Sequence, residues 1–113
     1  MEHFTLPFPP SLNMMYPTNR QGRRYTSKRG VGFKDDVKKL MALLKPKCFR
    51  GELKISINLF RPAKIGDIDN YCKPILDSLK TFCFDDDKQI VELHVYRFDD
   101  KRNPRVEIEI SEF

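Results

Sequence analysis

The sequence predicts an α+β domain in which two helices cover a four-stranded mixed sheet, in β-α-β-α-β-β order. Four short stretches alternate apolar with polar residues, two longer ones repeat apolar residues at helical spacing, and polar or Pro/Gly-rich breaks separate them. At 113 residues the chain reads as one domain, residues 1–113, large enough for a core but not for separate binding and catalytic domains.

Phe4, Leu6 and Phe8 alternate with Thr5 and Pro7, giving a strand that Pro7 confines to a sheet edge or strand end. Pro9-Pro10-Ser11-Leu12-Asn13 then breaks regular structure. Residues 16–32 hold Pro17, Gly22, Gly30, Gly32 and five basic residues, and read as a long loop of the kind that is usually functional or mobile. From Phe33 the period changes: Phe33, Val37, Leu40, Met41 and Leu44 share one helical face. Asp35 and Asp36 fall in the expected first turn and Lys45 in the last, as the macrodipole favours, and Pro46 stops the helix.

Leu53, Ile55, Ile57 and Leu59 make a second strand that ends near Pro62. A second helix is expected from about Asp69, with Cys72, Ile75, Leu76, Leu79 and Cys83 on one face and a local distortion at Pro74. Val91, Leu93 and Val95 make the third strand, and Val106, Ile108 and Ile110 the fourth. Asp99 to Pro104 is the polar hairpin connection between them.

Composition excludes several classes. Hydrophobic residues at 40% and charged residues at 33% describe a globular chain, neither disordered nor membrane-embedded. Met1-Glu2-His3 does not begin a signal peptide, and no apolar run approaches the roughly 18 residues that span a bilayer. Cys48, Cys72 and Cys83 are odd in number and lack CxxC spacing, which argues against a disulfide framework or a zinc site and makes the cytoplasm the expected location. His3 and His94 suggest no catalytic triad.

The net charge of +5 is unevenly spread. Residues 20–64 carry fourteen Lys/Arg against three acids, whereas residues 65–113 carry seven against twelve. A basic region meeting an acidic one suits a polyanion grip beside a cation site. Solvated surface charge explains the same asymmetry equally well.

The acids fall in two clusters. Asp67-Ile68-Asp69-Asn70 opens the second helix, and Asp85-Asp86-Asp87 precedes the third strand. Taken separately, Asp69 makes a good helix N-cap, Asp67 a turn residue and the aspartate run a solvated turn. Together, carboxylates gathered in one place repel unless a cation neutralises them, and their hard oxygens suit Mg²⁺ or Mn²⁺. A calcium-binding EF-hand is excluded, because Cys72 and Ile90 stand where such loops need glycine. Lys73 lies four residues after Asp69 on the same helical face, either as a surface ion pair or as an ammonium placed for a phosphate. A helix of roughly 14 residues is about 21 Å long, so the clusters meet only if the chain turns back along it or the helix is shorter.

These residues resemble the RusA family of Holliday-junction resolvases. Asp67-Ile68-Asp69-Asn70-x-x-Lys73 is similar to that family's Asp-x-Asp-Asn-x-x-Lys signature, and Pro74-Ile75-Leu76-Asp77-Ser78-Leu79 continues the helix in its style. Asp86-Asp87-Lys88-Gln89-Ile90 is similar to its Asp-Asp-x-Gln-Val block, and Pro9-Pro10-Ser11-Leu12-Asn13 to its N-terminal Pro-Pro-Ser-x-Asn. Upstream of Asp67, where some members have an arginine-rich run, this chain has Arg61-Pro62-Ala63-Lys64-Ile65-Gly66.

The resemblance implies a RusA-like, homodimeric, Mg²⁺-dependent endonuclease, with Mn²⁺ as a substitute, that binds four-way junction DNA and nicks two strands symmetrically. It implies Asp67, Asp69 and Asp87 as metal-site carboxylates, Lys73 as the catalytic lysine and Asp86 beside the metal. It gives Asp77 no assigned role and Asp85 no counterpart. Arg20, Arg23, Arg24, Lys28 and Arg29 are the expected phosphate contacts, with Asn13 and Tyr16 near the branch point or in turn and core roles. The alternatives are a branched-DNA-binding protein without catalysis, a flap or single-strand nuclease without true resolvase activity, and a structural or interaction protein.

Overall fold

A computed structural model describes residues 1–64 and 67–113. The elements run β1 (Glu2–Pro7), α1 (Leu12–Met15), α2 (Lys28–Leu44), β2 (Leu53–Arg61), α3 (Asp69–Leu79), a 3-10 turn (Asp87–Gln89), β3 (Ile90–Asp99) and β4 (Arg105–Glu112). The α+β class and the four strands are those the pattern predicts; the one-turn helix α1 is an addition.

The sheet order is β1-β4-β2-β3, with β4 antiparallel to both β1 and β2, and β3 parallel to β2. Its parallel pair needs a crossover, and α3 lies in that connection. Ile55, Ile57 and Leu59 of β2 pair with Ile110, Ile108 and Val106 of β4 and, with Leu53, make a fully buried apolar surface. Phe4 and Leu6 extend it along β1, whose outer edge accommodates Pro7. Phe33, Val37 and Met41 of α2, together with Ile75 and Leu79 of α3, cover it.

β3 departs from the expectation of a hairpin with β4: β2 lies between the two, so Asp99 to Pro104 passes over the end of β2 instead of joining neighbouring strands. β3 is an edge strand, irregular in register near Leu53 and Lys54, and leaves Val91, Leu93, Tyr96 and Phe98 exposed.

Three boundaries also differ, each for a local reason. α2 starts at Lys28 because the Ser27 side chain accepts from Gly30 N at 3.1 Å and caps it. Lys28 and Arg29 are therefore helical, and Asp35 and Asp36 lie beyond the first turn. Gly30 lets the helix approach α1: a Cβ there would stand 2.8 Å from Met15 Cγ. At the other end Leu44 is exposed rather than packed, and Lys45 leaves the helix in the left-handed region, at φ 47°.

Ser11 likewise caps α1, accepting from Met14 N at 3.3 Å, so the proline-rich break ends in a helical turn. α3 is continuous across Pro74 but stops at Leu79, four residues short of Cys83. Thr81, at φ 77°, turns the chain back, with its N–H donating to Phe84 O at 2.7 Å.

Candidate metal and phosphate site

The reversal after α3 brings the second acidic cluster back to Lys73 on that helix. Phe84 is fully buried, and the neighbouring Cys83 carbonyl accepts from Phe49 N at 2.7 Å, which pins the returning chain. Residues 85–87 then run back alongside α3. As a result Asp87 Oδ2 lies 3.4 Å from Lys73 Nζ in the second turn of the helix. The 11-residue helix and the fold-back thus join Asp87 to Lys73, while no contact among the described residues joins Asp87 to Asp67 or Asp69.

Asp69 occupies the first turn of α3 without capping it. Ile68 holds the cap position with no side-chain cap bond, so the capping explanation for Asp69 fails and its carboxylate is exposed. It lies close enough to Cys72 for its charge, after burial, to raise that thiol's pKa. Asp67 is exposed too, and its carbonyl accepts from Asn70 N at 3.1 Å, tightening the helix start. Tyr71 packs edge-on against Phe8 at 5.0 Å, tying this end of the helix to the segment after β1.

The second cluster divides its labour. Asp86 caps the 3-10 turn, accepting from Lys88 N at 3.0 Å, and that backbone bond is the main cause of its lowered pKa. Asp85 faces the other way, with its carboxylate 3.7 Å from Arg50 and 3.9 Å from the Cys48 thiol.

Asp87 presents one oxygen to Lys73, while its Oδ1 is buried and has no hydrogen-bond partner among the described residues. A buried carboxylate oxygen without a partner is costly unless something else satisfies it. A hard cation fits that need. Among the described residues no three Asp, Glu, His or Cys side chains are gathered as a metal cluster. Mg²⁺ does not demand one, since it keeps several waters and is commonly held by one or two carboxylates with substrate phosphate.

Lys73 is held between two acids, with Nζ 2.8 Å from Asp77 Oδ1 and 3.4 Å from Asp87 Oδ2. The bond to Asp77 is the largest reason its pKa is raised, against the opposing effect of burial, so the group stays cationic. Asp77 also accepts from the Tyr16 hydroxyl at 2.6 Å.

The predicted phosphate contacts lie on the adjoining surface. Arg20, Arg23 and Arg24 are exposed in the segment between α1 and α2, Lys28 and Arg29 are exposed at the start of α2, and Asn13 is exposed on α1. Arg24 and Tyr25 share with Tyr16, Lys73 and Asp77 the walls of an open cleft of about 330 Å³. The basic segment is thereby adjacent to the lysine. Of the Arg61–Gly66 stretch, Ile65 and Gly66 lie outside the described residues, and Arg61 is buried against Asp99 with its Nη2 2.9 Å from Oδ1.

Gln89 has a task that the sequence motif containing it does not reveal. Its Oε1 accepts from Asp85 N and Asp86 N at 2.7 and 3.0 Å, and its Nε2 donates to Phe49 O and Gly51 O at 2.7 and 3.0 Å. One amide thus fixes the acidic turn to the segment preceding β2. The signal in the sequence is its place three residues after Asp86, the spacing of a capping box.

A family model described as Endodeoxyribonuclease RusA matches residues 7–111. The chain is 35% identical over 112 residues to the crossover junction endodeoxyribonuclease rusA of Enterobacteria phage HK97, covering 96% of this chain and 92% of that protein. It is 32% identical over 122 residues to the protein of the same name from Enterobacteria phage 82, covering 97% and 93%. With the RusA protein of Escherichia coli (strain K12) the identity is 31% over 120 residues, covering 96% and 92%.

Proposed function

The chain belongs to the RusA family of endodeoxyribonucleases, and we propose that it resolves four-way DNA junctions by Mg²⁺-dependent paired nicks. The observation that carries this reading is Asp87, with a buried oxygen that has no partner among the described residues, beside the ammonium of Lys73. The relatives named as crossover junction endodeoxyribonucleases support the substrate.

Asp87 Oδ1 would hold the cation together with an exposed carboxylate of Asp67 or Asp69. Mn²⁺ shares the preference for oxygen ligands and would substitute. The cation supplies Lewis-acid neutralisation of charge on the scissile phosphate. The remaining carboxylate of the Asp67/Asp69 pair orients the attacking water and takes its proton. Lys73 binds a non-bridging phosphate oxygen and stabilises the charge that develops there. Asp86 acts beside the metal by holding the turn that aims Asp87.

Arg20, Arg23, Arg24, Lys28 and Arg29 grip backbone phosphates, and the N–H groups at the start of α2 add to the same positive field. Asn13 reaches the branch point from α1. Each chain carries one such site, so two nicks call for a homodimer, whose two-fold axis matches that of the junction. The exposed edge of β3 is the surface we assign to the second copy, and light scattering tests for the dimer mass. Among the described residues no helix is long and apolar enough to cross a membrane, and the proposed place of action is the cytoplasm.

The decisive experiment incubates the protein with a synthetic four-way junction, a flap and a linear duplex, in Mg²⁺ and in EDTA, beside Asp69→Asn. Symmetric paired nicks confined to the junction, absent in EDTA and in the variant, are expected. Preferential cutting of flaps, or junction binding without cutting in Mg²⁺ or Mn²⁺, would refute the proposal.

A further inference from the structure

Lysine is a poor positioning group by itself. Four rotatable bonds carry its charge, and holding one rotamer costs side-chain entropy. Lys73 is 53% exposed, so packing does not fix it. Its neighbour Asp77 has a side chain only 18% exposed, and both oxygens of that carboxylate are engaged: Oδ1 by Lys73 at 2.8 Å and Oδ2 by the Tyr16 hydroxyl at 2.6 Å. With a donor on each oxygen the carboxylate cannot turn without losing one of them.

Tyr16 is itself anchored. Its backbone N–H donates to Leu12 O at 2.9 Å, closing α1, while its carbonyl accepts from Arg24 Nη1 at 3.4 Å. Lys34 Nζ stands 5.3 Å from the centre of its ring. A continuous set of contacts therefore runs from Arg24, in the basic segment, through Tyr16 and Asp77 to Lys73 and on to Asp87.

We infer that Asp77 and Tyr16 are positioning residues that hold the Lys73 ammonium beside Asp87 and link it to the basic segment. The inference rests on the assignment of Lys73 to the scissile phosphate. An ordinary i,i+4 ion pair explains Lys73–Asp77 taken alone. It does not explain a carboxylate more than four-fifths covered and held from its far side by a phenol 61 residues away.

The test is a mutant cycle read in single-turnover cleavage of a four-way junction, with junction affinity measured separately in Ca²⁺. Asp77→Asn is expected to slow cleavage about 10- to 100-fold and Tyr16→Phe about 3- to 10-fold, with affinity within about two-fold of the parent. In a Lys73→Ala background, Asp77→Asn should add less than about two-fold, because its route of action is already gone. NMR of the Lys73 ε-methylene in the uncut protein should show greater side-chain mobility in Asp77→Asn and in the isosteric Tyr16→Phe. Multiplying losses, a loss that follows a lowered Tm, or unchanged Lys73 mobility would each overturn the inference. If the parent cuts flaps instead of junctions, the resolvase proposal fails while the same cycle, run on flaps, still judges the clamp.

Discussion

Lys73 Nζ and Asp87 Oδ2 are 3.4 Å apart although 14 residues separate them in the chain. The contact exists because α3 ends at Leu79 and the chain doubles back on a buried Phe84. It sets an ammonium beside a carboxylate with one oxygen unsatisfied among the described residues. Lys73→Ala is expected to reduce junction cleavage about 10²- to 10³-fold, the usual loss for a group that stabilises transition-state charge. Junction affinity in Ca²⁺ should change little, and Lys73→Arg should recover part of the rate. Equal losses of rate and affinity would make Lys73 an ordinary DNA contact.

Tyr16 supplies a test that needs no substrate. Burial, followed by the hydrogen bond to Asp77 and its charge, pushes the phenol well above its ordinary value near 10. A raised folded-state pKa contributes stability that is complete below about pH 10 and is lost as pH rises through the folded value. In a spectrophotometric titration the step that Tyr16→Phe removes should therefore lie above pH 10. Asp77→Ala removes two of the three causes, the hydrogen bond and the charge, and leaves burial, so the late step should move towards the ordinary range without reaching it. A Tyr16 that titrates at the ordinary value would disprove its bond to Asp77.

Gln89 makes four hydrogen bonds through one side-chain amide. Gln89→Ala leaves two backbone N–H groups and two carbonyls to find water, at a cost of about 1–3 kcal/mol. Urea denaturation should show that loss. Cleavage should fall further than destabilisation explains, because the Asp86–Asp87 turn is no longer aimed. Full activity at a temperature where the variant remains folded would show that the turn holds its shape without the amide.

The basic residues should separate from the acids in their salt dependence. Replacing Arg20, Arg23, Arg24, Lys28 or Arg29 with alanine is expected to weaken junction binding. Each such change should also reduce the slope of log K against log salt by about one for every phosphate it leaves unneutralised. Asp69→Asn should leave that slope unchanged while abolishing cleavage. A variant that alters affinity with no change in slope does not touch a phosphate.

Local pattern determined much of this molecule. Period-two alternation in Leu53–Leu59 and Val106–Ile110 marked strands, because a pleated strand with one buried face needs an apolar residue at every second position. Phe33, Val37 and Met41 marked the packed face of α2, and Pro7 marked an edge. The acids and Lys73 were legible as residue types at fixed spacing on one helix, as was the charge contrast between the two parts of the chain.

Only the tertiary structure decided what those groups do to one another. Exposure of Val91 and Leu93 follows from β3 lying at the edge, which depends on strand order rather than on its own sequence. The fold-back after Leu79 depends on Thr81 adopting a positive φ and on Phe84 finding the core, neither of which any periodicity records. Asp86 as a cap, Asp85 facing Arg50, Asp87 with a bare oxygen and Asp77 locked by Tyr16 are four fates of one residue type. Residue type sets the charge of an aspartate; its partners come from elements distant in the chain, and they determine its chemistry.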